Sequence, residues 1–165
     1  MNLRHVIRNA HETDLPGLAP IELAAGGAFP RDRLPDPDAT YPLAFLERAL
    51  EEALLFVAEV TGTVVGFSTC LAVDTYLHLD EVSVHPDYGR RGIGRALTQR
   101  VIDESAMRGL AGVTLTTFSD FAWNAPFYRT LGFRETVDRP PHVVARLQQE
   151  RRQGLQNRVG MILEH

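Results

Sequence analysis

The sequence contains a single cysteine, Cys70, and no long apolar run. One thiol cannot form an internal disulfide, and without neighbouring His and Cys partners it does not make a zinc site. No stretch approaches the roughly 18 apolar residues that span a bilayer, and the first five residues lack the apolar segment of a signal peptide. We therefore expect a cytoplasmic protein with no metal and no membrane partner.

Positive charge is also scarce. Lys and Arg together number 17 against 21 Asp and Glu, which gives a formal net charge of -4. A domain whose main partner is nucleic acid carries an excess of positive charge, so nucleic acid is excluded as the expected ligand. The length of 165 residues and the hydrophobic content of 44% predict one globular domain over 1–162. Residues 163–165 read as the remnant of an expression tag.

Apolar periodicity and turn residues predict an α+β fold, with a mixed sheet and helices on both faces. A proline-rich loop over 29–38 separates the first two helices, and the Gly-rich segment after the fourth strand opens the longest helix. Strands are predicted at 6–7, 54–60, 64–73, 76–84, 113–118, 133–137 and 158–162, and helices at 13–27, 42–52, 92–109, 124–131 and 140–153.

The Gly-rich segment over 84–97 places glycines and arginines between a strand and a helix. Glycines let backbone N–H groups turn toward an anion at a helix N-terminus, so this turn is a candidate phosphate binder. A Walker A loop requires Lys and then Ser or Thr after its last glycine, where this chain has Arg95 and Ala96. A dinucleotide fingerprint requires Gly or Ala at the position of Leu97 and a preceding βαβ unit, whereas the preceding strands are predicted to form hairpins. The sequence therefore excludes a Walker A loop and disfavours a dinucleotide site.

Two further motifs accompany the turn: Leu79-Asp80-Glu81-Val82-Ser83-Val84-His85-Pro86 before it, and Asn124-Ala125-Pro126-Phe127-Tyr128-Arg129-Thr130-Leu131-Gly132-Phe133 after it. Together the motifs and the order of elements resemble the GCN5-related N-acetyltransferase (GNAT) superfamily over essentially the whole chain. The resemblance implies a mostly antiparallel, twisted sheet of about seven strands. It also implies acetyl transfer from acetyl-CoA to a primary amine. One departure is Gly89, where the family has Arg or Gln.

The resemblance implies which residues hold acetyl-CoA. Backbone N–H groups of the turn contact the pyrophosphate, and Asn124 contacts the pantetheine arm. A bulge in the fourth strand supplies backbone donors to the oxyanion, and the matching residues are 82–84. The full set implied is Val82, Ser83, Val84, Gly89, Arg90, Arg91, Gly92, Ile93, Gly94, Arg95, Ala96, Asn124, Phe127 and Tyr128.

Direct attack requires a neutral amine, so a base is required near pH 7. Alternation along the fourth strand places His78, Asp80, Val82 and Val84 on one face. We predict His78 as the base, with Asp80 as its partner or as the anchor for the acceptor's ammonium group. Glu81 replaces His78 as the base if the strand is bulged.

Departure of the thiolate requires an acid. A tyrosine can protonate the leaving thiolate, and the resemblance identifies Tyr128 in this role. Asn124 and Tyr128 lie four residues apart on one predicted helix and therefore share a face.

The acceptor is the least determined feature of the sequence. The resemblance implies a pocket built from 29–41 and 138–158, and the acidic balance favours a small cationic amine. A peptide or protein acceptor stays open, as does a binding module that senses acetyl-CoA without turnover. Three roles stay open for the polar helix over 141–157: it is exposed to solvent, it covers the site, or it contacts a second subunit. A homodimer is suggested by the resemblance alone.

Overall fold

The structure is a computed structural model that describes residues 4–165. Its seven strands are β1 (His5–Asn9), β2 (Leu55–Val60), β3 (Thr63–Val73), β4 (Tyr76–Val84), β5 (Gly112–Phe118), β6 (Arg134–Glu135) and β7 (Arg158–Glu164). They form one sheet in the order β1-β2-β3-β4-β5-β7-β6. All neighbouring pairs are antiparallel except β4 and β5, which are parallel. The predicted mixed, mostly antiparallel sheet of seven strands is confirmed.

Helices cover both faces of the sheet. They are α1 (Leu18–Gly26), α2 (Leu43–Glu51), α3 (Ile93–Met107), α4 (Ala125–Thr130) and α5 (Pro141–Arg152). On one face, α3 and α4 bury Leu97 and Tyr128 in the larger core; on the other, α1 and α2 bury Leu18 and Leu46 in a core with Phe67. The α5 helix packs over β7 at Gly160, where an added Cβ would lie 2.5 Å from the Val143 side chain.

The first predicted helix is divided in the structure. Residues Glu12–Gly17 form a 3-10 helix, and α1 begins only at Leu18. Pro20 explains the division, because its ring clashes with the carbonyl of the residue four positions earlier and it has no N–H to donate. It is tolerated because it lies in the first turn of α1.

The C-terminal residues belong to the sheet. The last strand reaches Glu164, two residues beyond the prediction, and Leu163 pairs with Val113. The backbone N–H of His165 donates to the Ala111 carbonyl oxygen at 3.0 Å. The origin of residues 163–165 in an expression tag stays a prediction. Across residues 4–165, no helix combines the length and the apolar content that crossing a membrane requires.

Candidate active site

The parallel strands β4 and β5 diverge halfway along their length. Their pairing ends at Leu79 and Leu115, whereas β4 continues to Val84 and β5 to Phe118. Beyond this point the edge of β4 that faces away from β3 has no partner strand in the described chain. Backbone groups on that edge are therefore free to bind a ligand, and an opening passes through the sheet.

A β-bulge interrupts β4 at the start of this opening. Thr69 of β3 pairs with Glu81, but the next residue, Cys70, pairs with Leu79. Asp80 is therefore the extra residue of the bulge.

The bulge changes which side chains share a face. Val82 and Val84 pack on the core under α3, whereas His78 and Glu81 line a cavity on the opposite face. The expectation that His78, Asp80, Val82 and Val84 share one face is wrong, because the extra residue shifts the alternation by one position. The bulge also lies two residues before the segment 82–84 where the resemblance placed it.

The cavity has a volume of about 240 Å³ and lies beside the opening, on the α5 side of the sheet. Its lining is almost entirely polar and comes from β4, β5, α5, the start of β7 and the loop before α2. We call it the acceptor cavity. The lining residues are Tyr41, His78, Asp80, Glu81, Thr116, Arg146, Gln149, Glu150, Gln153, Leu155 and Arg158.

Glu81 is a partly buried carboxylic acid in this cavity. Its Oε1 accepts a 2.8 Å hydrogen bond from the Ser83 hydroxyl. Desolvation raises the pKa of Glu81 to about 7, and the negative charges of Glu22 and Asp80 add to that rise. The Ser83 hydrogen bond and the positive charge of Arg158 oppose it. Glu81 can therefore both accept and release a proton near neutral pH.

His78 is buried and held by a chain of hydrogen bonds. Its Nδ1 lies 2.9 Å from the Thr114 hydroxyl, which lies 2.7 Å from Nε2 of His142. Desolvation, with contributions from Arg146 and His142, lowers the pKa of His78 to about 3. The pKa of His142 is lowered as well, chiefly by desolvation. His78 is thus a neutral imidazole at pH 7.

Asp80 is bonded to an arginine rather than to His78. Its Oδ1 accepts a 2.8 Å hydrogen bond from Arg146 of α5, and its backbone carbonyl accepts one of 3.0 Å from the Tyr41 hydroxyl. The predicted His78–Asp80 pair is therefore wrong, because the bulge turns the two side chains toward different partners. These contacts tie α5 and the loop before α2 to the bulge.

Tyr128 lies on α4, directly after β5, and is buried. Within the described residues its hydroxyl makes no hydrogen bond. Desolvation raises the pKa of Tyr128, and the negative charge of Glu81 raises it further. Tyr128 therefore stays protonated through the physiological range and is suited to donate a proton.

Asn124 precedes α4, and its side chain does not cap the helix. Its Oδ1 is buried and has no hydrogen-bond partner within residues 4–165. A buried acceptor without a partner costs about 1–3 kcal/mol. Such an atom is suited to an N–H donor brought by a ligand, and the pantetheine arm of acetyl-CoA carries two amide N–H groups.

The Gly-rich turn before α3 presents unpaired backbone donors. From Arg90 to Arg95 no backbone N–H donates to a backbone carbonyl in the described chain, and Gly92 has a φ of +79°. Arg90 and Arg91 are exposed and make no hydrogen bond or ion pair among these residues, whereas Arg95 donates to the Thr130 hydroxyl at 2.9 Å. The Arg91 guanidinium group lies over the Tyr88 ring, 5.5 Å from its centroid. The turn thus combines unpaired N–H groups, a helix N-terminus and two guanidinium groups without an anionic partner in the described chain.

Two buried or partly buried glutamates, one near the cavity and one in its lining, carry no motif in the sequence. Glu22 of α1 accepts a 2.9 Å hydrogen bond from the Tyr41 backbone N–H, and burial raises its pKa. Glu150 of α5 is buried and accepts hydrogen bonds from Arg158 at 3.1 Å and from the Thr116 hydroxyl at 2.6 Å. The α5 helix forms one wall of the cavity, and its role as a cover over the site stays a prediction.

Two other side chains have no part in the cavity. Cys70 is buried in β3, and desolvation raises its pKa to about 12, so it is not a nucleophile. Trp123 stacks on Phe121 with ring centroids 5.0 Å apart and is half exposed. Within residues 4–165 no cluster of His, Cys, Asp and Glu could hold a metal ion.

Comparison with known proteins identifies the class to which this site belongs. Residues 22–133 match the model of the acetyltransferase (GNAT) family. The chain belongs to the GNAT acetyltransferase family. The predicted family, fold, enzyme class and acetyl-CoA co-substrate are confirmed.

Individual relatives differ in their acceptors. The chain is 32% identical over 135 residues to the ribosomal protein bS18-alanine N-acetyltransferase of Escherichia coli K12, covering 82% of this chain and 84% of that one. The crystal structure of the E. coli S18-alanine enzyme covers 98% of this chain and 94% of its own, with a TM-score of 0.71. The L-amino acid N-acyltransferase MnaT of E. coli K12 is 31% identical over 109 residues, which cover 62% of this chain and 63% of that one. The PaiA N-acetyltransferase of Thermoplasma acidophilum, solved with coenzyme A, has a TM-score of 0.71 at 16% identity and covers 98% and 99%.

Proposed function

We propose that this chain transfers the acetyl group of acetyl-CoA to the α-amino group of an amino acid or of a peptide N-terminus. Glu81 carries the proposal, because it lines the acceptor cavity and its pKa is about 7. A base is most effective when its pKa lies near the working pH. The α-amino group of a peptide N-terminus has a pKa of about 7.7–8.0, against about 10.4 for a lysine-like amine. Glu81 is matched to the former.

The charges in the cavity favour an ammonium group. Asp80 is paired with Arg146 and Glu150 with Arg158, so these four charges offset one another. Glu81 forms no ion pair in the described chain, and neither does Glu22, which lies outside the cavity lining but near enough for its charge to raise the pKa of Glu81. When ionised, Glu81 therefore adds negative charge that no arginine of the cavity is paired with. A positively charged acceptor is attracted to such a site and can leave a proton there.

The names of two relatives point to the same chemistry. One acts on the alanine of a ribosomal protein and the other on L-amino acids. In both acceptors the amine is bonded to the α-carbon, which is itself bonded to a carbonyl carbon. The proposed acceptor is an α-amine, whereas the sequence predicted a small primary amine of any kind. The α-amine class includes the peptide acceptor that the sequence left open.

We assign the proton transfers to Glu81 and Tyr128. Glu81 takes a proton from the acceptor's ammonium group, and the neutral amine attacks the thioester carbonyl that acetyl-CoA supplies. Free backbone N–H groups on the edge of β4 over 80–84 stabilise the negative charge that develops on that carbonyl. The C–S bond breaks as the attacking nitrogen releases its second proton to solvent, and Tyr128 protonates the departing thiolate. Exchange with solvent then returns Glu81 and Tyr128 to their starting protonation states. His78 borders the cavity as a neutral ring and stays the alternative base.

The residues at the Gly-rich turn and on α4 fit acetyl-CoA. Free N–H groups from Arg90 to Arg95 face outward at the N-terminus of α3, where a pyrophosphate binds most readily. Asn124 has a buried Oδ1 without a partner, which suits an amide of the pantetheine arm. Tyr128 lies one turn further along the same helix, beside the position where the thioester would follow.

The release of free thiol from acetyl-CoA tests the proposal. The acceptors are alanine amide, free L-amino acids, short peptides with free or acetylated N-termini, an arylalkylamine and a polyamine. We expect turnover on α-amines, none on the acetylated peptide and weak turnover at pH 7 on the alkylamines. Mass spectrometry of the product locates the added acetyl group.

Two results would contradict the proposal. Preferred turnover on the arylalkylamine or the polyamine would favour the small-amine prediction. Silence on every acceptor, with acetyl-CoA binding still measured by calorimetry, would favour a sensor that binds without transfer.

A further inference from the structure

A second cavity of about 560 Å³ adjoins α5 on the outer side. It lies between α5, the segment that leads into α5 and the loop that leads into β7. We call it the basic cavity. Its lining residues are Arg139, Val144, Leu147, Gln148, Arg151, Leu155, Gln156, Asn157 and Arg158.

The lining of the basic cavity contains three arginines and no carboxylate, in a chain whose net charge is -4. Arg151 makes no hydrogen bond or ion pair within residues 4–165. Arg139 donates only from Nε, to the Thr136 carbonyl oxygen at 3.1 Å, so its two terminal nitrogens are free. Arg158 is committed to Glu150. Two guanidinium groups are thus available to bind a carboxylate.

The basic cavity borders the acceptor cavity, on a different face of α5. Leu155 and Arg158 line both. The adjacent edge of β7 is also free, because β6 pairs only with Met161 and Ile162 in the described chain. An extended peptide whose N-terminus lies in the acceptor cavity can therefore pass over Leu155 and continue along this edge.

We infer that the basic cavity is a subsite for the acceptor residues that follow the N-terminal one, and that it selects acidic side chains. This inference rests on the proposed α-amine acceptor. Carboxylates of Glu or Asp in an extended peptide bind Arg139 and Arg151, which raises the affinity for such peptides. A free amino acid is too short to reach both cavities, so its turnover is independent of the two arginines.

Steady-state kinetics on matched acceptors test the subsite. The acceptors are hexapeptide amides with N-terminal Ala-Ala, followed by Glu-Glu, Gln-Gln or Lys-Lys and then Ala-Ala, together with alanine amide. The variants are Arg151→Gln, Arg139→Gln and their combination. Arg152→Gln is the control, because Arg152 lies on the same helix, is exposed and lines neither cavity.

In the unaltered protein we expect the lowest KM for the Glu-Glu peptide. Arg151→Gln should raise that KM about three- to tenfold, because the variant loses a partly exposed charge-assisted hydrogen bond to the peptide. KM for the Gln-Gln peptide and for alanine amide should be unchanged, and the control should match the unaltered protein. Equal KM values for the Glu-Glu and Gln-Gln peptides, or equal losses on both in the variants, would overturn the subsite. Failure of the proposed function differs, because alanine amide would then give no turnover either.

Discussion

The hydroxyl of Ser83 donates a 2.8 Å hydrogen bond to Oε1 of Glu81, two residues before it on β4. This hydrogen bond stabilises the charged carboxylate and lowers its pKa, whereas burial raises it. Together with the charges of Glu22, Arg158 and Asp80, these two effects leave the pKa of Glu81 at about 7. Ser83 thereby sets the pH at which Glu81 becomes available as a base.

Ser83→Ala should move the acidic limb of the pH profile of kcat/KM to higher pH. Without the hydroxyl the charged form of Glu81 loses a donor, so its pKa rises and a higher pH is needed to deprotonate it. Glu81→Gln should lower kcat about 10²- to 10⁴-fold, the usual contribution of a general base. Thiol release between pH 5.5 and 9 measures both effects: a series of α-amine concentrations gives kcat/KM, and the saturating concentration gives kcat.

His78→Gln serves as the comparison for that profile. If Glu81 is the base, the acidic limb keeps its position in this variant. The opposite pattern, with turnover lost in His78→Gln and retained in Glu81→Gln, would assign the base to His78.

Tyr128→Phe should leave the affinity for acetyl-CoA unchanged and lower kcat about 10²-fold or more. The phenyl ring still fills its place in the core, but no hydroxyl remains to protonate the thiolate. Calorimetry gives the affinity and thiol release gives kcat. Tyr76→Phe is the control, because Tyr76 lies at the far end of β4 and lines neither cavity. An unchanged kcat in Tyr128→Phe would remove the tyrosine from the mechanism.

Local signals in the sequence were sufficient for most of the fold. Periodicity over 92–109 and the alternating runs that became β2, β3 and β4 predicted elements whose bounds lie within a few residues of those observed. The glycines of the turn and the segment 124–133 also predicted which residues bind the cofactor. Each of these signals comes from residues close together in the chain.

The acceptor side depends on contacts between distant residues. The bulge at Asp80 cannot be recognised from the alternating sequence pattern. It nevertheless places the Glu81 side chain on the face of the sheet that lines the cavity. Arg146 reaches Asp80 from 66 positions away. Burial sets the pKa of Glu81, and burial of a single carboxylate is a property of the packed fold. Sequence reasoning could name Glu81 only as conditional on a bulge.

Asn124→Ala should weaken acetyl-CoA binding without destabilising the free protein. In the absence of ligand Oδ1 of Asn124 is buried without a partner, so its removal takes away an unfavourable group. In the complex the same atom would accept a hydrogen bond worth about 0.5–1.5 kcal/mol, so the Kd should rise about two- to tenfold. Thermal unfolding and calorimetry measure the two quantities. A lower Tm with unchanged acetyl-CoA affinity would show that Asn124 has a structural role only.

Arg90→Gln and Arg91→Gln should each raise the Kd for acetyl-CoA about two- to fivefold, and the effect should shrink as salt is added. Both guanidinium groups are exposed beside the Gly-rich turn, so their attraction to phosphate is screened by ions. Arg152→Gln is again the matched control, being an exposed arginine remote from this turn. Calorimetry at low and high ionic strength separates the contribution of the guanidinium groups from that of the backbone N–H groups, because the backbone N–H groups persist in every variant. Equal affinities in all three variants at low salt would leave phosphate recognition to the backbone of the turn alone.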